Sequence, residues 1–249
     1  MTQVQAVALD PAAVAELARL ATRHRAANGL GMHLLGLVGG SAEGLIHRLP
    51  PAVRGRLESA TRAALDQAFT AASLSRRSIR RRDDWVTTAL ATAMGAAGGA
   101  GGLPTALAEL PVTTTVLLRA IQGIAEEHGF DPTDPEVRLD CLRVFAAAGP
   151  LEDDDDADLG FLAARLTITG HSVQGLIARV APRLSVVLGQ KLAAQAAPVI
   201  GAVAGAAVNW VFTGYYQEMA RVQFGLARLA RETGLPRAAL EEELRSILR

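Results

Sequence analysis

A line of polar side chains crosses residues 191–217, a stretch in which the only charged residue is the lysine that opens it. The members of this line are Lys191, Gln195, Asn209, Thr213 and Gln217. On an unbroken helix the group of the first two and the group of the other three lie within about 40° of one another around the axis, although a proline at position 198 can break this register. The line predicts either a polar cavity or hydrogen bonds between neighbouring helices. We favour the second, because buried polar groups need partners in any fold.

Lys191 is the single lysine among 25 basic residues, and a desolvated lysine amine can act as a nucleophile. An enzyme built on it would be a hydrolase acting on a lipid or peptide, with a site near Lys191, Asn209 and Arg119 and a carboxylate such as Asp140. The sequence places no second catalytic group with the lysine. A general preference for arginine over lysine therefore better explains why the chain has a single lysine. We therefore predict no catalytic residue and keep the hydrolase as the alternative.

Five arginines and a tryptophan form a second chemical feature, the arginine run, at Arg76, Arg77, Arg80, Arg81, Arg82 and Trp85. Guanidinium groups pair with lipid phosphates and an indole favours the membrane interface, so the pattern predicts docking on anionic headgroups. The other interpretation is a solvated turn, or a turn paired with the acidic run at residues 152–158. The two interpretations are evenly matched.

Other chemistries are not indicated by the sequence. The five histidines form no pair at zinc spacing, the acidic run lacks the spacing of a calcium loop, and Cys141 is the only cysteine. No phosphate-binding loop or nucleophile motif occurs. The 25 basic residues are balanced by 25 acidic ones, which argues against nucleic-acid binding. We predict no metal, no cofactor and no nucleic-acid partner.

The elements that must position these residues are predicted to be helices throughout. Alanine and leucine dominate, and no run alternates as a half-buried strand does. The uncharged segments 85–108 and 192–217 are rich in alanine and glycine, which favours two buried central helical segments, and membrane insertion or reversible membrane docking is the alternative. The fold class is therefore all-α, a single multi-helix bundle. Residues 1–75 would form amphipathic helices that pack on a helical domain of residues 76–249.

Capping signals predict several helix boundaries. Helices begin at prolines preceded by capping or extended residues, at Asp10-Pro11, Pro50-Pro51, Asp134-Pro135 and Pro236. One helix ends at Gly129 in a left-handed conformation, and another is interrupted near Pro182. The apolar stripe of the first helix ends near Gly29, and the glycine-rich stretch 29–44 is either a loop or a loosely packed short helix. The apolar faces are expected to include Val14 and Val112. A similarity between residues 124–130 and 229–235 suggests a weak internal duplication.

Three blocks of the sequence carry a recognisable pattern. Residues 103–121 contain the run ELPVTTT, residues 134–145 open with DPE, and residues 190–209 begin QKLAAQAAPVIGA, followed by QEMARVQF at 217–224. This pattern resembles the EcsC family from about the middle of the arginine run to Gly234, with departures at Ala204 and Tyr216. The family takes its name from a protein encoded beside an ATP-driven membrane transporter. The resemblance implies a cytoplasmic or membrane-peripheral location and a transporter or lipid partner, and it implies no catalytic residues.

These features predict a non-catalytic accessory protein at the inner face of the cytoplasmic membrane. It would dock on anionic lipid or on a transporter, or hold an apolar ligand, with Trp85, Trp210 and Phe212 supplying apolar surface. The beginning of the sequence has no basic, apolar leader, which favours a cytoplasmic location. A homo-oligomer packed through the small-residue segments is a third interpretation.

Overall fold

The computed structural model describes residues 9–38, 42–74, 110–145, 173–195 and 201–249, and within these ranges the protein is helical with no strand. This confirms the predicted all-α fold class. The helices are α1 (Pro11–Val38), α2 (Ala42–His47), α3 (Pro51–Arg54), α4 (Leu57–Leu74), α5 (described over 110–127), α6 (Pro135–Val144), α7 (Val173–Gln195), α8 (Gly201–Thr233) and α9 (Arg237–Leu248).

The helix ends follow local capping chemistry. The carboxylate of Asp134 accepts a hydrogen bond from the Glu136 backbone N–H at 2.8 Å and so caps α6. Gly129 has a φ of 77° and ends α5, and Gly234 has a φ of 69° and ends α8. Both positive angles favour glycine, which has no Cβ to clash. The predicted starts at Pro11 and Pro135 are confirmed, whereas the helix that begins at Pro51 ends at Arg54 and the longer helix α4 begins at Leu57.

Two predicted interruptions are wrong, because both helices continue through them. Helix α1 passes Gly29 and ends at Val38, and α7 runs through Pro182. Extending an existing helix costs little, and a helical glycine costs only about 1 kcal/mol relative to alanine. At Pro182 the lost backbone donor is offset by burial, since Ala181 and Leu184 beside it are fully enclosed in the core.

Helix α1 lies along α8 in close contact. A Cβ atom added at Gly225 of α8 would lie 2.6 Å from Cδ2 of Leu20, so the missing side chain allows this approach. Ion pairs flank the contact on the surface, between Arg228 Nη2 and Glu16 Oε1 at 2.8 Å and between Arg23 and Glu218. Helix α1 also contacts α9.

Helix α7 is the second centre of packing, because it contacts α2, α4, α6 and α8. A Cβ at Gly189 would lie 2.8 Å from Cδ1 of Leu57 and 3.9 Å from side-chain carbons of Ile46 and Leu49. Helices from the first 75 residues therefore pack on α7 and α8, while the division of the chain at residue 75 and the internal duplication both stay predictions.

The second uncharged segment is mostly buried where the structure describes it, at the end of α7 and in the first half of α8, and Trp210 is its exposed residue. The first uncharged segment, 85–108, lies outside the described residues. Two predicted inward positions are wrong, since Val14 and Val112 are exposed. On α1 the buried face passes through Ala13, Leu17 and Leu20, roughly 100° from Val14. Among the described helices, none has the length and apolarity needed to cross a bilayer.

Candidate functional site

The predicted polar line is divided between two helices. Lys191 and Gln195 close α7, whereas Asn209, Thr213 and Gln217 lie on α8, which begins at Gly201. The angular argument for a single line is therefore wrong, because it required an unbroken helix. Pro198, which can neither donate a backbone hydrogen bond nor fit easily inside a helix, belongs to the stretch between the two.

The divided line is buried in helix packing. The side chain of Lys191 is 0% exposed, and those of Asn209, Thr213 and Gln217 are also buried. Arg119 lies partly buried on α5, and the side chain of Gln195 is not among those described. Two more amides, Gln190 and Gln223, are buried on α7 and α8, and they were missed because isolated glutamines carry no sequence signal. Among the described residues, α7 and α8 thus carry a group of buried polar side chains, which we call the polar interior.

Asp140, the carboxylate suggested for a hydrolase site, is held by other partners. Its Oδ1 accepts hydrogen bonds from Arg143 Nη1 at 2.5 Å and from Gln223 Nε2 at 3.4 Å. Its Oδ2 lies 4.0 Å from Arg237 of α9, which also pairs with Glu241 at 2.9 Å. This cluster joins α6, α8 and α9. With two guanidinium groups beside it, the carboxylate is better placed to link these helices than to act as a general base.

Glu218 is a second shared carboxylate. It accepts from Arg23 of α1 at 2.9 Å and from Arg221 of α8 at 2.5 Å. Burial, together with the positive charge of Arg23, lowers the pKa of Arg221 below its ordinary value. Glu218 therefore separates two cations that would otherwise face each other, and it ties α1 to α8.

Trp210 is the largest exposed apolar side chain among the described residues, with 49% of its surface accessible on α8. Phe212, predicted to share this surface, is 1% exposed and belongs to the core, so that prediction is wrong. Two residues along a helix point about 200° apart, which turns Phe212 inward when Trp210 faces out. The arginine run, Arg76, Arg77, Arg80, Arg81 and Arg82, and Trp85 lie outside the described residues. Within the described ranges no group of side chains has the composition of a metal site.

A second basic surface lies where α2, α3 and α4 meet, and we call residues 47–56 the basic corner. His47, Arg48 and Arg56 are exposed, and Arg54 is half-buried. Nη1 of Arg54 donates to Nδ1 of His47 at 3.2 Å. The charge pattern of this surface is visible in the sequence, because no acidic residue occurs between Glu43 and Glu58.

Comparison with known proteins decides the family. The model of the EcsC protein family matches residues 73–229, more than half of the chain. The chain belongs to the EcsC family. No curated protein and no solved structure matches the chain in the other two comparisons.

The EcsC match covers the helices that form the polar interior and leaves the basic corner out. It includes α5, α6, α7 and nearly all of α8, together with the arginine run and Trp85. The basic corner lies before the first matched residue. Any role of the corner therefore has to be argued from this chain alone.

Proposed function

We propose that this EcsC protein is a non-catalytic accessory protein that docks peripherally on an anionic lipid surface at the cytoplasmic side of a membrane. The observation that carries the proposal is the exposed indole of Trp210. Tryptophan is costly to leave in water and prefers the membrane–water interface, where its ring is apolar and its N–H remains hydrated. The indole belongs to a stretch with no charged residue from 192 to 217, so no nearby charge within that stretch opposes its insertion.

The arginine run supplies the attraction that brings such a surface to the membrane. Five arginines within seven residues can pair with lipid phosphates, since each guanidinium presents a planar fork of donors. Each cation near an anionic leaflet contributes about 1 kcal/mol. A transporter partner or a bound apolar ligand is compatible with this role.

The hydrolase alternative has one observation in its favour, the complete burial of Lys191. A buried lysine is rare and is the form of lysine that can serve as a nucleophile. Against it, the suggested carboxylate Asp140 is engaged by Arg143 and Arg237. The docking function is therefore better supported.

Flotation with lipid vesicles tests the docking proposal. Purified protein is mixed at low salt with vesicles of neutral lipid alone or of neutral plus anionic lipid, and the floated fraction is measured. We expect flotation only with anionic lipid. Neutralising the arginine run to glutamine should weaken binding at least about tenfold, since 1.4 kcal/mol corresponds to a factor of ten.

Trp210→Ser provides the second arm of the experiment. We expect a loss of at least about threefold in binding, while the matched control Val14→Ser, at a 42% exposed position on α1, should bind as the parent does. Equal recovery of the parent protein in the unbound fraction with and without anionic vesicles would contradict the proposal.

A further inference from the structure

The basic corner is an exposed turn that carries positive charge and contains no acidic residue. Residues 47–56 contain three arginines and one histidine, separated by the prolines at 50 and 51. Pro50, Pro51 and Ala52 are all exposed, so the tip of the turn presents apolar ring and methyl surface between the cations. The corner therefore presents cations that can pair with an anionic surface and, between them, a small tip without charge.

The core holds this corner in place. Leu45 before the corner, Leu49 within it and Leu57 after it are buried. Leu49 and Leu57 approach α7 where Gly189 leaves room for them. Because both sides of the turn are fixed, its charged side chains are directed outward from a defined surface rather than from a mobile tail.

Two arginines of the corner, Arg54 and Arg56, are not held by carboxylates of the described residues. Within the ranges that the structure describes, neither Arg54 nor Arg56 forms an ion pair with a carboxylate, and Arg54 instead donates to the neighbouring imidazole of His47. Arg56 also directly precedes the N-terminus of α4, where the helix dipole is positive and disfavours a cation. By contrast, Arg62 of the same helix pairs with Glu58 at 3.2 Å.

We propose that the basic corner is a second lipid contact, in which Arg48, Arg54 and Arg56 bind the phosphates of anionic headgroups while the Pro50–Ala52 tip enters the interface. This inference rests on the proposed docking function. It adds a site outside the family-matched region. The exposed apolar tip favours a lipid surface over an acidic polypeptide, which would offer no apolar layer to receive it.

Flotation of a matched pair of variants tests the inference. The corner variant carries Arg48→Gln, Arg54→Gln and Arg56→Gln, and the control variant carries three other glutamines, Arg19→Gln, Arg62→Gln and Arg249→Gln. Both lose three positive charges from exposed or half-buried arginines, so their net charges are equal. We expect the corner variant to bind anionic vesicles about 10- to 100-fold more weakly than the parent, and the control variant to lose no more than about threefold.

A fluorescent probe reports contact directly and does not depend on losing arginines. An environment-sensitive dye is attached to Ala52→Cys, or for comparison to the exposed position Ala18→Cys on α1, while the native Cys141 is fully buried and unreactive. With anionic vesicles the dye at 52 should shift to the blue and brighten, and the dye at 18 should not change.

The outcomes separate the two proposals. If the parent floats but the two arginine variants bind equally well, or the dye at 52 stays unchanged, the corner is not a lipid contact although the docking function stands. If the parent does not float, both proposals fall. Selective loss in the corner variant, with a blue shift confined to position 52, supports the inference.

Discussion

The contact between Gly225 of α8 and Leu20 of α1 provides the sharpest test of how these two helices pack. An alanine at 225 would place its Cβ 2.6 Å from Cδ2, 3.4 Å from Cδ1 and 3.6 Å from Cγ of Leu20. Favourable carbon–carbon contacts lie near 3.5–4.0 Å, so the first of these distances is a collision. Cγ at 3.6 Å is in ordinary contact, so relief requires the Cδ2 methyl to move, and because Leu20 is only 3% exposed that movement must displace neighbouring core atoms.

Two effects of opposite sign decide the stability of Gly225→Ala. Alanine gains about 1 kcal/mol over glycine in a helix interior. Overpacking a core typically costs about 1–3 kcal/mol. We therefore expect the variant to be destabilised by about 0–2 kcal/mol relative to the parent, because the collision outweighs the gain in helix propensity.

Gly123 of α5 supplies the matched control. No heavy atom in the described part of the chain lies within 4 Å of the position that a Cβ would take there. Gly123→Ala should therefore be stabilised by the higher helix propensity of alanine, with no collision to offset it. The free energies of unfolding of the two variants should differ by about 1–3 kcal/mol. Thermal unfolding followed by circular dichroism would show this as a difference in Tm of about 2–12 °C, since 1 kcal/mol shifts a protein of this size by about 2–4 °C.

A double substitution identifies the collision as the cause. Leu20→Ala alone should cost about 2–5 kcal/mol by leaving a cavity. In the Gly225→Ala background the same change should cost less, because it also removes the clash. If Gly225→Ala proved as stabilising as Gly123→Ala, α1 could not approach α8 as closely as the structure shows, and the proposed role of Gly225 would be refuted.

Two further substitutions test the ion pairs and the turns. Glu218→Gln should lower the free energy of unfolding by about 1–3 kcal/mol, because it leaves the Arg23 and Arg221 guanidinium groups facing each other without a carboxylate between them. Urea unfolding measures this loss. An unchanged urea midpoint would mean that the ion pairs of Glu218 are surface contacts that do not stabilise the fold. Gly129→Ala should cost about 1–2 kcal/mol, since its φ of 77° is left-handed. Differential scanning calorimetry should show a lowered Tm for Gly129→Ala, and a gain in Tm would contradict the assigned turn.

The fold could be predicted from the sequence in some respects and not in others. The starts at Pro11 and Pro135 and the end at Gly129 were predictable, because capping depends on a few adjacent residues. The continuation of α1 past Gly29 was not predictable, since the local sequence there favours neither helix nor loop. Packing against other helices determines where α1 ends. Val14 was assigned to the wrong face because an alanine-rich helix has a weak apolar stripe, and the actual buried face is set by contact with α8.

The candidate site was predictable as a set of residue types but not as an arrangement. Lys191 and Asn209 were recognised from their isolation in an uncharged segment, and both are buried. Their assignment to one helix was wrong, since α7 ends at Gln195 and α8 begins at Gly201. The charge of the basic corner is visible in the sequence, but its placement is not, because it depends on Leu49 and Leu57 packing against α7 at Gly189, which is distant in the chain.

The sequence alone determined the helical class, the family and the concentration of small residues in uncharged segments. These properties depend on composition and on residues that are adjacent in the chain, as motifs and helix caps do. Only the tertiary structure decided which faces meet. Gly225 and Gly189 permit close approach of partners that are distant in the chain, and the exposure of Trp210 depends on what packs beside α8. Contacts between distant segments follow from how surfaces fit together, and that fit is a property of the folded chain.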